Sequence, residues 1–436
     1  MSLRSPARLA LCLLTAAPFT AWAEDTTGAV TAGTAFNPQA SLILTGHYAD
    51  DNRNGHGAAL IDAAPGMARG VAFDNTTPDS GNGFSLGDSE LVLSATVDPY
   101  LDGRFIGTFD GHGAANVEEA WLETRQLPYG LKVKAGRLKS GIGYENAQHP
   151  HAWDFDDQNL AYSALLGSEG LSDAGIQVTW LTPAPFYLLV GAESLQGGDS
   201  SRFGTLVTAS DAATVLASSA GSLPEQNSGP RVMTAFAKTS PDLGDNHALQ
   251  LGVSLAHARQ YQQVRDPDNN PLSGDEYALD GNQTLYGADL VYKYDSPGEL
   301  GEGDVKVVAE YLRLQSDATV TGADTGAQFA RGSDVQGTED GYYAQITYGI
   351  APRWQLGFRH DVAGTTNELV SGATHVRLQD SARNTVALGF SPSEFSRVRL
   401  QASKGDVANP AGTHTPLNQV MLTYTLSLGT HGAHAF

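Results

Sequence analysis

The stretch HPHAWDFDD, residues 149–157, sets two imidazoles and three carboxylates within nine residues. His149, His151, Asp154, Asp156 and Asp157 offer nitrogen and oxygen donors that suit Zn²⁺ or another divalent cation. The same acids could instead form a negative ring that favours cations in a pore. A third reading is mechanical, with Pro150, Trp153 and Phe155 packing the segment against a wall while its polar residues are hydrogen-bonded. THGAHAF at the C-terminus adds His431 and His434, with His414 upstream, as a second place for a metal. DDNRNG (50–55) has the form of a calcium loop, but Ile61 stands where the twelfth-position Glu is needed. It reads as a solvated loop, as does DPDNNPLSGDE (266–276).

Nucleophilic chemistry finds no support in the sequence. GFSLG (83–87) matches G-x-S-x-G, but that motif needs a strand, a sharp turn and a helix. Here it opens a strand, so Ser85 is not expected to be a nucleophile. GHGAAN (111–116) is followed by no helix and is not a phosphate loop. The expectation is a protein that is not an enzyme and needs no cofactor, with a divalent cation (Zn or Ca) as the one candidate ligand.

The chain's address narrows the class. MSLRSPARLALCLLTAAPFTAWAED has a basic start, a short apolar run and the small-x-small triplet Ala21-Trp22-Ala23. That is a secretory signal, 1–23, too short to span a membrane. Cleavage removes Cys12, the single cysteine, and leaves a chain without disulfides. It also removes Arg4 and Arg8, leaving 24 of the 26 Lys+Arg against 48 Asp+Glu. So acidic a chain is a poor nucleic-acid binder.

The elements that must position these residues follow a period of two. In NQVMLTYTLSLG, Val420, Leu422, Tyr424, Leu426 and Leu428 share one face, and Met421, Thr423, Thr425 and Ser427 the other. TLYGADLVYKYD, GYYAQITYGI and HALQLGVSLAH repeat the pattern. Sixteen candidate strands start near residues 41, 84, 101, 116, 130, 173, 185, 230, 247, 281, 304, 339, 353, 382, 396 and 416. Short turn-forming links (VDPYLDG, LPYG, TPAP, GIAPR, SPSEFS) alternate with links that are mostly long and polar: 51–83, 139–172, 194–229, 260–280, 315–338, 361–381 and 403–415. This predicts an all-β transmembrane antiparallel barrel with short periplasmic turns and long extracellular loops. Residues 24–40 are then a short periplasmic lead-in and 41–436 the barrel. Tyr100, Tyr129, Trp180, Tyr187 and Trp354 near strand ends suit an interfacial girdle.

Alternation also selects a lumen face. Arg104 and Asp110 lie opposite Phe105 and Phe109; Arg359 and Asp361 oppose Leu356 and Phe358; Arg397 and Arg399 oppose Val398 and Leu400; Lys132 and Lys134 oppose Leu131 and Val133. An Arg at the bilayer midplane costs ~2–4 kcal/mol, so these charged faces should line the pore.

NPQASLILTG (37–46), GFSLGDSELVLSATVDPYLDGRF (83–105), GTFDGHGAANVEEAWLET (107–124), LKVKAGRLKSGIGYENAQHPHAWDFDDQNLAYSALLG (131–167) and SLGTHGAHAF (427–436) resemble a bacterial outer-membrane family often labelled a zinc-regulated TonB-dependent receptor. More distantly the chain is similar to phosphate-selective porins of the O and P type. The receptor label would imply a 22-stranded barrel with a plugged lumen, whereas sixteen strands match the water-filled porins. Porin resemblance implies that loop 139–172, the third on the extracellular side, folds into the lumen and narrows it. HPHAWDFDD then reads first as part of a constriction loop. The function expected is passive diffusion of small hydrophilic solutes or ions across a Gram-negative outer membrane. Zinc-linked or TonB-dependent uptake is one alternative, and a non-conducting platform for adhesion is another. Expected partners are outer-membrane lipid and lipopolysaccharide, the barrel assembly machinery, and sister subunits of a homotrimer.

Overall fold

A computed structural model describes residues 37–62, 64, 81–87, 89–109, 114–168, 170–198, 202–207, 223–265, 274–408 and 413–429. The signal segment, most of the lead-in, Asp110, His431, His434 and most of the 266–276 loop lie outside the described residues.

One sheet closes on itself. Its strands are β1 (Gln39–Asp51), β2 (Gly83–Leu86), β3 (Ser89–Thr96), β4 (Leu101–Phe109), β5 (Ala115–Thr124), β6 (Leu131–Lys139), β7 (Ser172–Leu181), β8 (Tyr187–Leu195), β9 (Val232–Ser240) and β10 (His247–Arg265). They continue as β11 (Tyr277–Tyr294), β12 (Val305–Ala323), β13 (Asp334–Ala351), β14 (Trp354–Ala363), β15 (Glu368–Ser371), β16 (Thr374–Arg377), β17 (Ser381–Ser393), β18 (Ser396–Ala408) and β19 (His414–Gly429). Each barrel strand pairs antiparallel with its sequence neighbour, and β1 meets β19 in unbroken register from Ser41 opposite Gly429 to Asp51 opposite Gln419. Closure leaves no free edge to satisfy inside a membrane. β2 and β3 are two pieces of one barrel strand, since both pair with β1. The β15–β16 hairpin is an outgrowth, bound to the upper part of β13, while β14 pairs directly with β17. The barrel therefore has sixteen strands, and each of the sixteen candidate starts has its strand.

The exterior is apolar for the reason the alternation gives. On β19, Val420, Leu422 and Tyr424 point out at 45–47% exposure, while Thr423 and Thr425 point in at 7% and 8%. Exposed Tyr100, Tyr129, Trp180, Tyr187 and Trp354 stand beside the short turns at one end. The rings of Tyr48 and Phe84 meet at 5.0 Å, tilted by 59°, at the other end.

Two features depart from the sequence reading. β10 to β13 run 18–19 residues each, continuing through much of the 260–280 and 315–338 links that read as loops. Nineteen residues extend about 60 Å, more than twice the apolar band of a membrane barrel. The extension persists because Tyr261, Tyr277, Leu279, Val320, Phe329, Val335 and Leu369 form a second apolar cluster beyond the rim. The lumen face is also not uniformly polar: Leu285, Val291, Val308, Leu312 and Leu314 point inward and are buried.

Candidate functional site

What buries those inward leucines is the segment between β6 and β7. Side chains of residues 140–171 bond to inward groups on β3, β5, β8, β12, β13, β14, β17 and β18. A segment that touches the inner wall on so many sides lies inside the barrel. Ile142, Tyr162, Leu165 and Leu166 pack on the apolar patch of the wall. Segment 139–172 is thus folded inward against the wall of the barrel.

Its neck is zipped by Asn146. The Asn146 amide donates to the carbonyls of Ser140 (2.8 Å) and Leu171 (3.0 Å) and accepts from the Leu171 N–H at 2.7 Å. Wall carboxylates then satisfy loop donors. Glu310 accepts from the backbone N–H groups of Tyr144 (2.8 Å) and Glu145 (2.9 Å), and from the hydroxyls of Tyr162 (2.9 Å) and Tyr343 (2.5 Å). Glu193 accepts from the Gly141 N–H at 2.8 Å and from the hydroxyls of Ser140 and Thr234. The short helix α1 (Leu160–Leu165) is capped by Asn159, whose side chain accepts from the Tyr162 N–H at 3.0 Å. Glu145 receives the Asn159 amide at 2.6 Å. Burial pushes the Glu145 carboxyl up to about 8, with Arg359 opposing and Glu310 adding to the rise.

The acids of HPHAWDFDD meet the basic rows of the wall. Asp154 receives Lys306 at 2.9 Å and the Gln345 amide at 2.7 Å. Asp156 receives Arg399 at 2.8 Å. Asp157 receives Arg359 and the Gln401 amide, each at 2.7 Å, and Arg383 at 2.5 Å. Asp361 receives Arg383 at 2.8 Å and lies 3.4 Å from Arg359. Loop carbonyls take further guanidinium donors: His151 from Arg397, Trp153 from Arg399, Asp157 from Arg359 and Gln158 from Arg383, all at 2.7–2.8 Å. Burial opposes ionisation of Asp157, but Arg383 and Arg359 outweigh it and hold the carboxyl below its usual range. Phe155 is buried, with the Arg359 guanidinium 4.8 Å over its ring, while Pro150 is exposed. The three aspartates therefore clamp the loop to the wall and form no open ring. Lys132 and Lys134 point inward on β6 and serve Glu123, at 2.7 Å and 3.9 Å. Arg104 faces inward on β4, where its charge acts on Glu119.

The histidines sit apart from the aspartates. His149 is fully buried between three wall glutamates. Its Nε2 is 2.8 Å from Glu119 Oε1, and its Nδ1 is 3.2 Å from Glu118 Oε2 and 3.5 Å from Glu90 Oε2. His151 Nδ1 is 2.8 Å from Glu90 Oε1. Glu118 and Glu119 are neighbours on β5, and a regular strand would point them to opposite faces. The ladder slips between Ile106 and Gly107 of β4, so that Glu118 has no cross-strand partner and both glutamates are buried. Bulges of this kind re-aim side chains. The sequence reading passed over Glu90, Glu118, Glu119, Glu193, Glu310, Lys306 and Arg383. The adjacent acids of VEEAW, which break the period of two, were the available signal.

Two further motifs have structural partners. Asp51 accepts from the N–H groups of Arg53 (2.7 Å), Gly55 (2.8 Å) and Gly57 (3.0 Å), so DDNRNG is a turn built on one carboxylate. Ser85 pairs with His47 Nε2 at 2.7 Å across the β1–β2 ladder, within a strand.

Comparison with known proteins places the chain. No family model matches it. A protein of Aquifex aeolicus (strain VF5), described as uncharacterized, is 32% identical over 405 residues, covering 92% of this chain and 80% of that protein. The chain belongs to the same family as that protein. Among solved structures, the barrel of this chain is similar to the outer membrane channel DcaP of Acinetobacter baumannii, with a TM-score of 0.51 and 11% identity over 90% of this chain and 97% of that one. An anion-selective porin from Comamonas acidovorans aligns with a TM-score of 0.47 and 12% identity, over 90% and 99% of the two chains. At 11% identity the likeness to DcaP speaks for the fold alone.

Proposed function

We propose that this protein is an outer-membrane channel for passive diffusion of small hydrophilic solutes or ions, narrowed by its inward loop 139–172. One observation carries the reading: a closed sixteen-strand barrel, apolar outside and largely charged inside, holds a loop across its lumen by a dense set of ion pairs. A buried ion pair stabilises a core no better than an apolar contact of the same shape, so an inward face this rich in charge supports a lumen kept for function rather than for stability. The DcaP neighbour, itself an outer membrane channel, has the fold this reading needs. The loop's acids are paired with wall arginines and a lysine, so ion selectivity rests on groups outside that clamp.

Single-channel recording in a planar bilayer under a KCl gradient tests the proposal. Steady conductance is expected, and the sign of the reversal potential gives the selectivity. A folded barrel that stays silent would overturn the open-channel reading in favour of a platform. Conductance-independent, energised uptake lost without TonB would favour the receptor. Assembly as a homotrimer belongs to the same proposal, and the mass of the detergent-extracted particle tests it.

A further inference from the structure

We propose that Glu90, Glu118 and His149 form a binding site for a divalent transition-metal ion of the zinc class, which ties the inward loop to β3 and β5. The inference goes beyond the channel reading and does not depend on conduction.

Three donor atoms converge there: Glu90 Oε2, Glu118 Oε2 and His149 Nδ1, all within 4.8 Å of one another. All three are buried, and none makes a hydrogen bond. His149 is 0% exposed, so its Nδ1 has no water to turn to. Bonds of about 2.0–2.2 Å to a tetrahedral ion set its ligands roughly 3.3–3.6 Å apart. The observed separations from Nδ1 are 3.2 Å to Glu118 and 3.5 Å to Glu90. One imidazole with two carboxylates suits zinc, whereas calcium takes six to eight oxygens.

The surroundings orient each donor. Metal-bound histidines donate their other N–H to a carboxylate, which fixes the tautomer. Here Nε2 lies 2.8 Å from Glu119 Oε1, so a neutral His149 donating there would present the Nδ1 lone pair to the ion. Glu119 is itself fixed by the Trp121 indole N–H at 2.5 Å. The other oxygen of Glu118 is held by Lys139 at 2.8 Å, and that of Glu90 by His151 at 2.8 Å. Each donor atom thus points at the same spot while its partner atom is bonded away from it. Three protein ligands leave a fourth position for water or a small anion. His151 supports Glu90 and is not a ligand. A proton on Nδ1 is the competing occupant: burial opposes it, but Glu90 and Glu118 hold His149 up to about 10.

The test uses the full-length refolded protein without a polyhistidine tag, stripped with chelator and titrated with ZnCl₂ by calorimetry and with CoCl₂ by visible absorption. One equivalent per chain and a tetrahedral Co²⁺ spectrum are expected at neutral pH. His149→Ala should abolish binding. Glu119→Gln keeps all three ligands and should weaken affinity about 10- to 100-fold through loss of imidazole orientation. Folding is checked by the mobility difference between heated and unheated samples in detergent gels, and if His149→Ala fails it, Glu119→Gln and Glu90→Gln decide. No binding by the folded wild type, an octahedral Co²⁺ spectrum, or equal affinity in the folded variants would overturn the site in favour of a protonated His149 held by ion pairs alone.

Discussion

Asp157→Ala is the sharpest perturbation of the clamp. Asp157 accepts from Arg359 and Gln401, each at 2.7 Å, and from Arg383 at 2.5 Å, so one carboxylate joins the loop to β14, β17 and β18. Its side chain is 17% exposed and both guanidiniums are 2% exposed, so solvent screens these pairs little. Removing one partner of a buried pair costs ~3–5 kcal/mol, because the surviving charge stays buried. Both arginines keep Asp361 and a loop carbonyl, which puts the loss at the lower end. About 3 kcal/mol shifts the balance of docked and released loop by roughly a hundredfold, at 1.36 kcal/mol per tenfold. The barrel's ladder does not use Asp157, so the heated and unheated gel mobilities should stay distinct as in the wild type. Single-channel traces should show a higher mean conductance and frequent large steps. Traces indistinguishable from the wild type, from a folded Asp157→Ala barrel, would refute the assignment of this carboxylate as the clamp.

Other consequences follow from the same geometry. Glu145 binds its proton more tightly docked, up to about 8, than in a released loop near ~4.3, so docking is favoured at low pH and weakens as pH rises through that window. Current noise should therefore grow between pH 5 and 8, estimated from the same window, and Glu145→Gln should flatten the dependence. Phe155 is buried beneath Arg359, and Phe155→Ala should cost docking ~3–5 kcal/mol and raise conductance, with Phe155→Leu milder. Gly136 has a φ of +136°, and a Cβ there would lie 2.1 Å from the Ala120 carbonyl oxygen of the paired strand. Gly136→Ala should lower the yield of folded barrel in refolding assays while leaving the loop's partners unaltered.

The barrel was legible because its signals are local. A period of two and turn residues such as those of VDPYLDG are read within ten positions, and they suffice for sixteen strands. The inward segment was legible as a loop but not as a set of contacts. Asp156 meets Arg399 across 243 residues, and no local pattern says which inward arginine faces which acid. Glu310 and Arg383 looked like any polar residue on a lumen face, yet each joins several loop groups. Glu118 was hidden for another reason: the slip between Ile106 and Gly107 reverses its parity, so a strict period of two assigns it to the wrong side. The long β10–β13 extensions were missed because Tyr261-Gln262-Gln263 reads as polar loop until Phe329 and Leu369 cover it.

The two anchors of the loop differ in charge balance, and that makes them separable. At the far end, Asp154, Asp156, Asp157 and Asp361 face Lys306, Arg399, Arg359 and Arg383, with Arg397 beside them, so every carboxylate there has a cationic partner. At the near end, Glu90, Glu118 and Glu119 surround His149, with Lys139 and His151 beside them. That corner can be neutralised by protons on the histidines or by a divalent ion, and only there does a chelator have something to remove. Chelation should loosen the HPH half of the loop and leave the DFDD half docked, whereas Asp157→Ala should do the reverse. Because the two halves share a backbone of a few residues, the double perturbation should exceed the sum of the single ones if each anchor alone can hold the loop across the lumen. Simple additivity would mean that the anchors act independently and that neither can hold the loop for the other.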